Sequence, residues 1–189
     1  GWALGATDDA ASALLNTHFA ACAGALSWAL LDRLATGRVS ATGIMSGALS
    51  GLAAISASAG LVGAGGAMLI GLIAATASRF AFTVLRGGKV DDAASIFAAH
   101  GVGGLAGMIL LVPFTLPALG GVGLDPSLGA TSLAFTQIIG AAVVASWAMV
   151  GAAILAIGLS LLIPMRVCEA DEEDGLDAAQ NGQQSWLLR

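Results

Sequence analysis

The chain has 189 residues, of which 57% are hydrophobic and only 10% charged, and its mean hydropathy of +0.89 excludes a soluble domain whose surface must face water. A net charge of -5 with seven Lys and Arg in total lacks the clustered basic surface that nucleic-acid binding requires. Twenty-seven glycines beside 5% aromatics point to a helical membrane bundle packed through small side chains, and the long unbroken apolar runs are unlike the alternation of an outer-membrane barrel.

Five stretches are long enough to cross a hydrocarbon core, which takes roughly 20 helical residues. The first is predicted over residues 9–31, with Asp8 or Asp9 capping its start. His18 lies near its outer end beside Asn16 and Thr17, where a polar residue is cheap, so an interfacial or hydrogen-bonded role outweighs a pore role. Trp28 fits an interfacial anchor near Arg33. Cys22 in this apolar run and Cys168 beside the polar tail occupy different environments, so both are read as free thiols. The second helix, over residues 41–59, starts after Ser40 and carries Gly47 and Gly51, a small-xxx-small pair that admits a close neighbour.

The third helix covers residues 65–85 and ends before Gly87-Gly88. Arg79 lies within two turns of that end, and its reading from sequence is a side chain extended toward headgroups. The fourth is predicted over residues 93–112, with Asp92 as its cap and Pro113 after its end. The fifth covers residues 131–163, long for one crossing, with Pro164 as its stop; Trp147, deep within it, reads as packing. Residues 1–166 are thus expected to form a transmembrane helical domain. Residues 167–189, with Glu169, Asp171, Glu172, Glu173 and Asp174 in a run, form an acidic tail that reads as a solvated extension.

Basic residues fall in alternate connections: Arg33 and Arg38, then Arg86 and Lys89, then Arg166 and Arg189. Because such residues are retained in the cytoplasm during insertion, the expected topology is multi-pass in the plasma or inner membrane, with the N-terminus outside and the C-terminus inside. The first residues read as the middle of a longer protein.

His100 is the main candidate for chemistry. It is predicted about two turns inside the fourth helix among apolar and small residues, where hydrocarbon favours the neutral imidazole. A neutral ring both donates and accepts, which suits passage of a small polar molecule or a proton; the alternative is a buried ring satisfied by a backbone carbonyl. Gly103 and Gly107 after it repeat the small-xxx-small spacing. No phosphate-binding glycine loop with Lys, paired metal ligands or nucleophile with a nearby base stands in the sequence, so neither enzyme activity nor a cofactor is expected.

The run Val90-Asp91-Asp92-Ala93-Ala94-Ser95-Ile96-Phe97-Ala98-Ala99-His100-Gly101-Val102-Gly103-Gly104 resembles the tenth-helix motif of Amt-type ammonium transporters, in which paired aspartates precede a His-Gly by a fixed distance. Asn16-Thr17, the segment from Ser46 to Leu52, Gly65-Gly66-Ala67, Gly120-Gly121-Val122-Gly123 and the tail from Glu173 to Asp177 resemble the same family in the same order, so the likeness covers essentially the whole chain. The resemblance implies the C-terminal, five-helix half of an inverted-repeat, homotrimeric all-α membrane transporter that passes ammonium or ammonia through a hydrophobic pore in each subunit. It makes His100 one of two pore histidines, the other lying in the absent half, and sets Ile96 on the pore wall one turn away. Trp2 stands at the position of a pore-gating phenylalanine or of the tryptophan before it.

Gly175, Leu176 and Asp177 match a regulatory tail that docks on the cytoplasmic face in the family, where a PII-type signalling protein can plug the pore. Departures fall at Ser95, where a third aspartate is common, Ala57 for a proline, Asn181 for a tail histidine and Ala6 for an outer-site serine. Two alternatives accompany transport: an ammonium-sensing membrane receptor on the same fold, or a truncated, non-conducting half.

Overall fold

The structure, a computed structural model, describes residues 7–88, 92, 94–125, 127 and 129–182. Trp2, Ala6, Lys89, Asp91 and Arg189 lie outside the described residues. The chain divides into two compact units, Gly1–Ala141 and Ala142–Arg189.

The first unit is built on three packed helices, α1 (Asp8–Thr36), α2 (Ala41–Ile55) and α3 (Ala64–Arg86), with a fourth helical stretch laid against α2 and α3. The cap of α1 is Thr7 rather than either aspartate: its hydroxyl accepts from the Ala10 amide at 3.2 Å. Asp8 and Asp9 sit in the first turn, where their charge meets the positive end of the helix dipole. At the other end Gly37, at φ 73°, takes the left-handed conformation that closes the helix, and Arg33 donates to its carbonyl. Ser40 caps α2 as expected, accepting from the Gly43 amide at 2.9 Å.

The helices approach at backbone distance because the contacting residues lack side chains. A Cβ on Gly24 would land on the Gly47 carbonyl, and one on Gly47 would land on the Gly24 carbonyl. Gly51 of α2 and Gly71 of α3 both press on the carbonyl of Ala20, which is fully buried between them. Apolar burial distinguishes one helix face from another only weakly in lipid, so close backbone approach carries much of the specificity.

Two polar clamps on α1 hold the three helices, one at each end. Near its start the Asn16 amide, 5% exposed, donates to the carbonyls of Ala59 and Val62, both at 2.8 Å. This ties α1 to the α2–α3 connection. It also explains why α2 ends at Ile55, short of the expected residue 59: the turns that follow leave carbonyls pointing at Asn16, not along a helix axis. Asn16→Ala is expected to destabilise the protein by about 1–3 kcal/mol for each carbonyl left without a donor. Thr17→Ala should cost far less, since among the described residues the Thr17 hydroxyl bonds only the Ala13 carbonyl of its own helix. Thermal unfolding of both variants of the full-length protein in detergent checks the difference.

At the other end Asp32 is the second clamp. Its two carboxylate oxygens accept from Arg79 Nε of α3 at 2.9 Å and from the Ser40 hydroxyl at 3.0 Å. The expectation that Arg79 reaches out to headgroups is therefore corrected: its side chain is 16% exposed and Asp32's is 11%, and the guanidinium turns inward because a carboxylate waits there. Trp28 is corrected in the same way. At 2% exposure it is no interfacial anchor but a core ring beside Gly47, 5.9 Å from Phe82 and with the Arg79 guanidinium 6.0 Å from its centroid.

The fourth stretch is a π-helical turn (Phe97–Val102) running into α4 (Gly103–Phe114). Gly103 and Gly107 let it seat on Ser50 and Ala54 of α2, so the spacing read as a close-packing motif is one. Pro113 was expected beyond the helix but lies inside its last turn, where its missing amide removes one bond near the helix end. After α4, the Val122 amide donates to the Leu61 carbonyl at 3.1 Å and Gly63 packs on the Gly120 backbone, docking this connection on the α2–α3 turn. Within it Asp125 accepts from the hydroxyl and amide of Ser127, which holds its carboxyl below the usual range.

A continuous helix, α5 (Ala130–Ser160), contains no buried residue; Trp147 is 82% exposed and makes no core packing there. The second unit also contains two short helices, α6 (Glu169–Asp174) and α7 (Leu176–Asn181), within the acidic tail. Arg166 clamps Glu172 through two bonds of 2.8 and 2.9 Å, which hold the Glu172 carboxyl below, and the Arg166 guanidinium above, their ordinary values. By length and composition, α1, α3, the π-turn with α4, and α5 can each cross a membrane, while the 15 residues of α2 are apolar but shorter.

Candidate functional site

The segment that carries His100 begins with a tight turn. Asp92, expected as the cap of a helix starting at residue 93, lies four residues before the observed cap position, Ile96, and reaches the first amides from there: Oδ1 accepts from the Phe97 amide at 3.1 Å and Oδ2 from the Ala98 amide at 3.0 Å. The Ser95 amide bonds the Asp92 carbonyl at 2.9 Å, and Ser95 itself adopts φ 56°, a left-handed conformation uncommon for a residue with a Cβ. Ala93, the expected start, lies outside the described residues; helical structure is described from Ile96, which sets His100 about one turn in, not two.

His100 sits within the π-helical turn Phe97–Val102. Such turns are rare, carry an extra residue per turn, and recur at functional sites because they shift side chains relative to the flanking helix. One face of the turn, Ala98 and Ala99, is buried on the bundle, and the packing continues through Gly103 and Gly107. On the other face His100 is exposed, with Ile96 at 63% and Phe97 at 60% beside it. A side chain at Gly101 would meet the Phe97 ring, so the small residue after His100 leaves that ring its place. The structure thus brings Ile96 and His100 together on one exposed, mostly apolar surface. The alternative of a ring wedged in the core of this unit is not what is seen.

The other site residues fall elsewhere. Trp2 is outside the described residues, so its place beside His100 is not described. Gly175, at φ 88°, joins α6 to α7, and Leu176 and Asp177 open α7. His18 is exposed on α1 with its Nε2 3.6 Å from Cys22 Sγ, one helical turn on. No group of three or more His, Cys, Asp or Glu positioned to hold a metal ion occurs among the described residues. The clamp roles of Asn16 and Asp32 are not legible in the sequence: Asn16 stands out only as part of a family-like motif and Asp32 only as a charge just past an apolar run, and neither signal says which partner is taken.

A family model described as the Ammonium Transporter Family matches residues 1–186. A putative ammonium transporter of Methanothermobacter thermautotrophicus is 38% identical over 185 residues, covering 94% of this chain and 44% of that protein. An ammonium transporter of Aquifex aeolicus is 34% identical over 191 residues, covering 100% of this chain and 44% of that one. Among solved structures, one named Sensor Amt Protein superimposes with a TM-score of 0.79 at 27% identity, over 92% of this chain and 42% of its own. Candida albicans Mep2 superimposes with a TM-score of 0.73 at 27% identity, over 86% of this chain and 38% of its own. These curated relatives are named as transporters and not as enzymes, and the chain spans less than half of their length. With helices as the secondary structure of the described residues, apolar membrane-length spans and a match running over nearly the whole sequence, the chain belongs to the ammonium transporter family.

Proposed function

We propose that this chain supplies one wall of a pathway that carries ammonium or ammonia across a membrane, with His100 and Ile96 on that wall. The observation that supports the reading is the exposed face of the π-helical turn, where an imidazole stands beside large apolar side chains on a surface this unit does not cover. Membership of the family supports it from the other side. An uncharged imidazole in a dry passage can accept a proton or hand on a small amine, whereas stripping Na+ or K+ of water costs more than so few polar groups return.

The same reading extends to the whole protein. A second segment covers the His100 face and completes the passage, residues 1–166 form the membrane domain, and residues 167–189 form a cytoplasmic tail. Gly175, Leu176 and Asp177 then lie where a regulatory contact or a PII-type partner would act, and three copies assemble in the plasma or inner membrane. A second reading, an ammonium sensor on this fold, is favoured by the likeness to a structure named as a sensor.

Reconstitution of the full-length protein in liposomes separates the two. Transport predicts an ammonium-dependent current or uptake that Na+ and K+ do not produce. Tight ammonium binding with no flux in sealed vesicles would instead identify a sensor, and flux of Na+ equal to that of ammonium would overturn the proposed selectivity.

A further inference from the structure

A cavity of about 660 Å3 opens where the end of α1, the start of α2 and the end of α3 meet, with Ala94 and Ser95 on a further wall. Its chemistry is unlike that of the His100 face. Among the described residues, three arginines line it, Arg38, Arg79 and Arg86, with one acidic residue, Asp32. Both Asp32 oxygens already accept hydrogen bonds, from Arg79 and Ser40, so among the described lining residues its charge is matched by Arg79, and Arg38 and Arg86 stand without a carboxylate partner.

Exposed arginines at a helix end ordinarily wave in solvent, and the positive-inside bias alone would place them here. Two of these three are held. The Arg79 guanidinium is fixed by Asp32 and Thr83 and lies 5.9 Å from the Phe82 centroid, while the Arg86 guanidinium lies 5.4 Å from the same ring. Phe82 is therefore a shelf that keeps two cations at the wall of one concave space. Fixed, planar donors of this kind suit the oxygens of a phosphate group, which arginine binds in bidentate fashion. The volume is that of a small-ligand site, and basic pockets between membrane helices take anionic headgroups.

We infer that the cavity between α1, α2 and α3 binds a phosphate group, held by Arg86 and Arg38 with Arg79 as its fixed backing charge. Phosphate at this position reaches the site either as an anionic lipid headgroup or as a soluble ion. Binding here does not depend on ammonium passage and is read without it.

The test uses the full-length protein in a neutral detergent, with thermal unfolding followed against added phosphatidylglycerol, phosphatidylcholine or inorganic phosphate, for the wild type and for Arg38→Gln/Arg86→Gln. Both substituted side chains are exposed and outside the Asp32 clamp, so the variant should unfold like the wild type without additive. The expected result is a saturable rise in unfolding temperature with phosphatidylglycerol, larger than with phosphatidylcholine, whose midpoint concentration weakens about fivefold for each arginine removed. A rise with inorganic phosphate that the double variant loses supports the same site and assigns a soluble ion. A phosphatidylglycerol effect no larger than that of phosphatidylcholine, with none from inorganic phosphate, overturns the inference. An effect of equal size in the double variant also overturns it.

Discussion

Replacing His100 by alanine in the full-length protein is expected to lower ammonium-dependent current roughly a hundredfold, the lower end of what a positioned proton-transfer group contributes. The expectation has two parts. His100 stands on the exposed face of its π-helical turn, while the residues that seat the turn on the bundle are Ala98, Ala99, Gly103 and Gly107. Truncating the ring leaves those seating residues in place, so the unfolding temperature should change far less than the current. Flux and stability should separate, and that separation is the diagnostic. Solid-supported membrane electrophysiology together with thermal unfolding reads both on one preparation. Currents at the wild-type level in the alanine variant would remove His100 from the pathway. A parallel collapse of current and unfolding temperature would instead make it a structural residue.

The second large effect is expected at Gly71. A Cβ there would fall on the carbonyl of Ala20, which Gly51 of α2 also presses at backbone distance. Ala20 is thus in close backbone contact with both neighbouring helices. Gly71→Leu should then exceed the usual cost of an overpacked core, about 1–3 kcal/mol, because the obstacle is backbone and not a side chain that can rotate away. Gly65→Leu is the control. It lies in the same helix, is exposed, and a Cβ there meets nothing within 4 Å. Fluorescence-detected gel filtration of the two variants should show Gly65→Leu as a single wild-type-like peak and Gly71→Leu aggregated or absent. Wild-type behaviour of Gly71→Leu would mean that α1 and α3 are not in backbone contact.

Much of the helix pattern could be read residue by residue. Ser40 caps where it is expected to, Asp92 bonds the first amides of its helix though not from the cap position, α3 ends before Gly87, and the glycine pairs of α2 and α4 mark close packing. Each is a local property: a hydroxyl or carboxylate reaches amides a few residues away, and a missing Cβ is missing whatever lies opposite. The misses share the opposite character. The first cap went to Asp8 or Asp9 because three candidate acceptors are adjacent, and only the backbone direction at Thr7 selects among them. Arg79 was read as reaching for headgroups because its partner lies 47 positions earlier in the chain. The π-helical turn had no signature either, since Phe97 to Val102 suits an α-helix equally well by composition.

The amino-acid sequence by itself determined that this is a helical membrane protein, that it carries several long apolar stretches, and which motif aligns it with the ammonium transporters. Hydropathy, capping and spacing are summed over neighbouring residues and survive without coordinates. Tertiary structure alone decided which polar residues clamp the bundle, that Trp28 is core, and that His100 and Ile96 share an exposed face. The partners of Asn16 lie 43 and 46 positions away. A pairing of that kind is chosen by how closely two helix backbones can approach, which depends on the shapes of three helices at once and not on any single stretch of sequence.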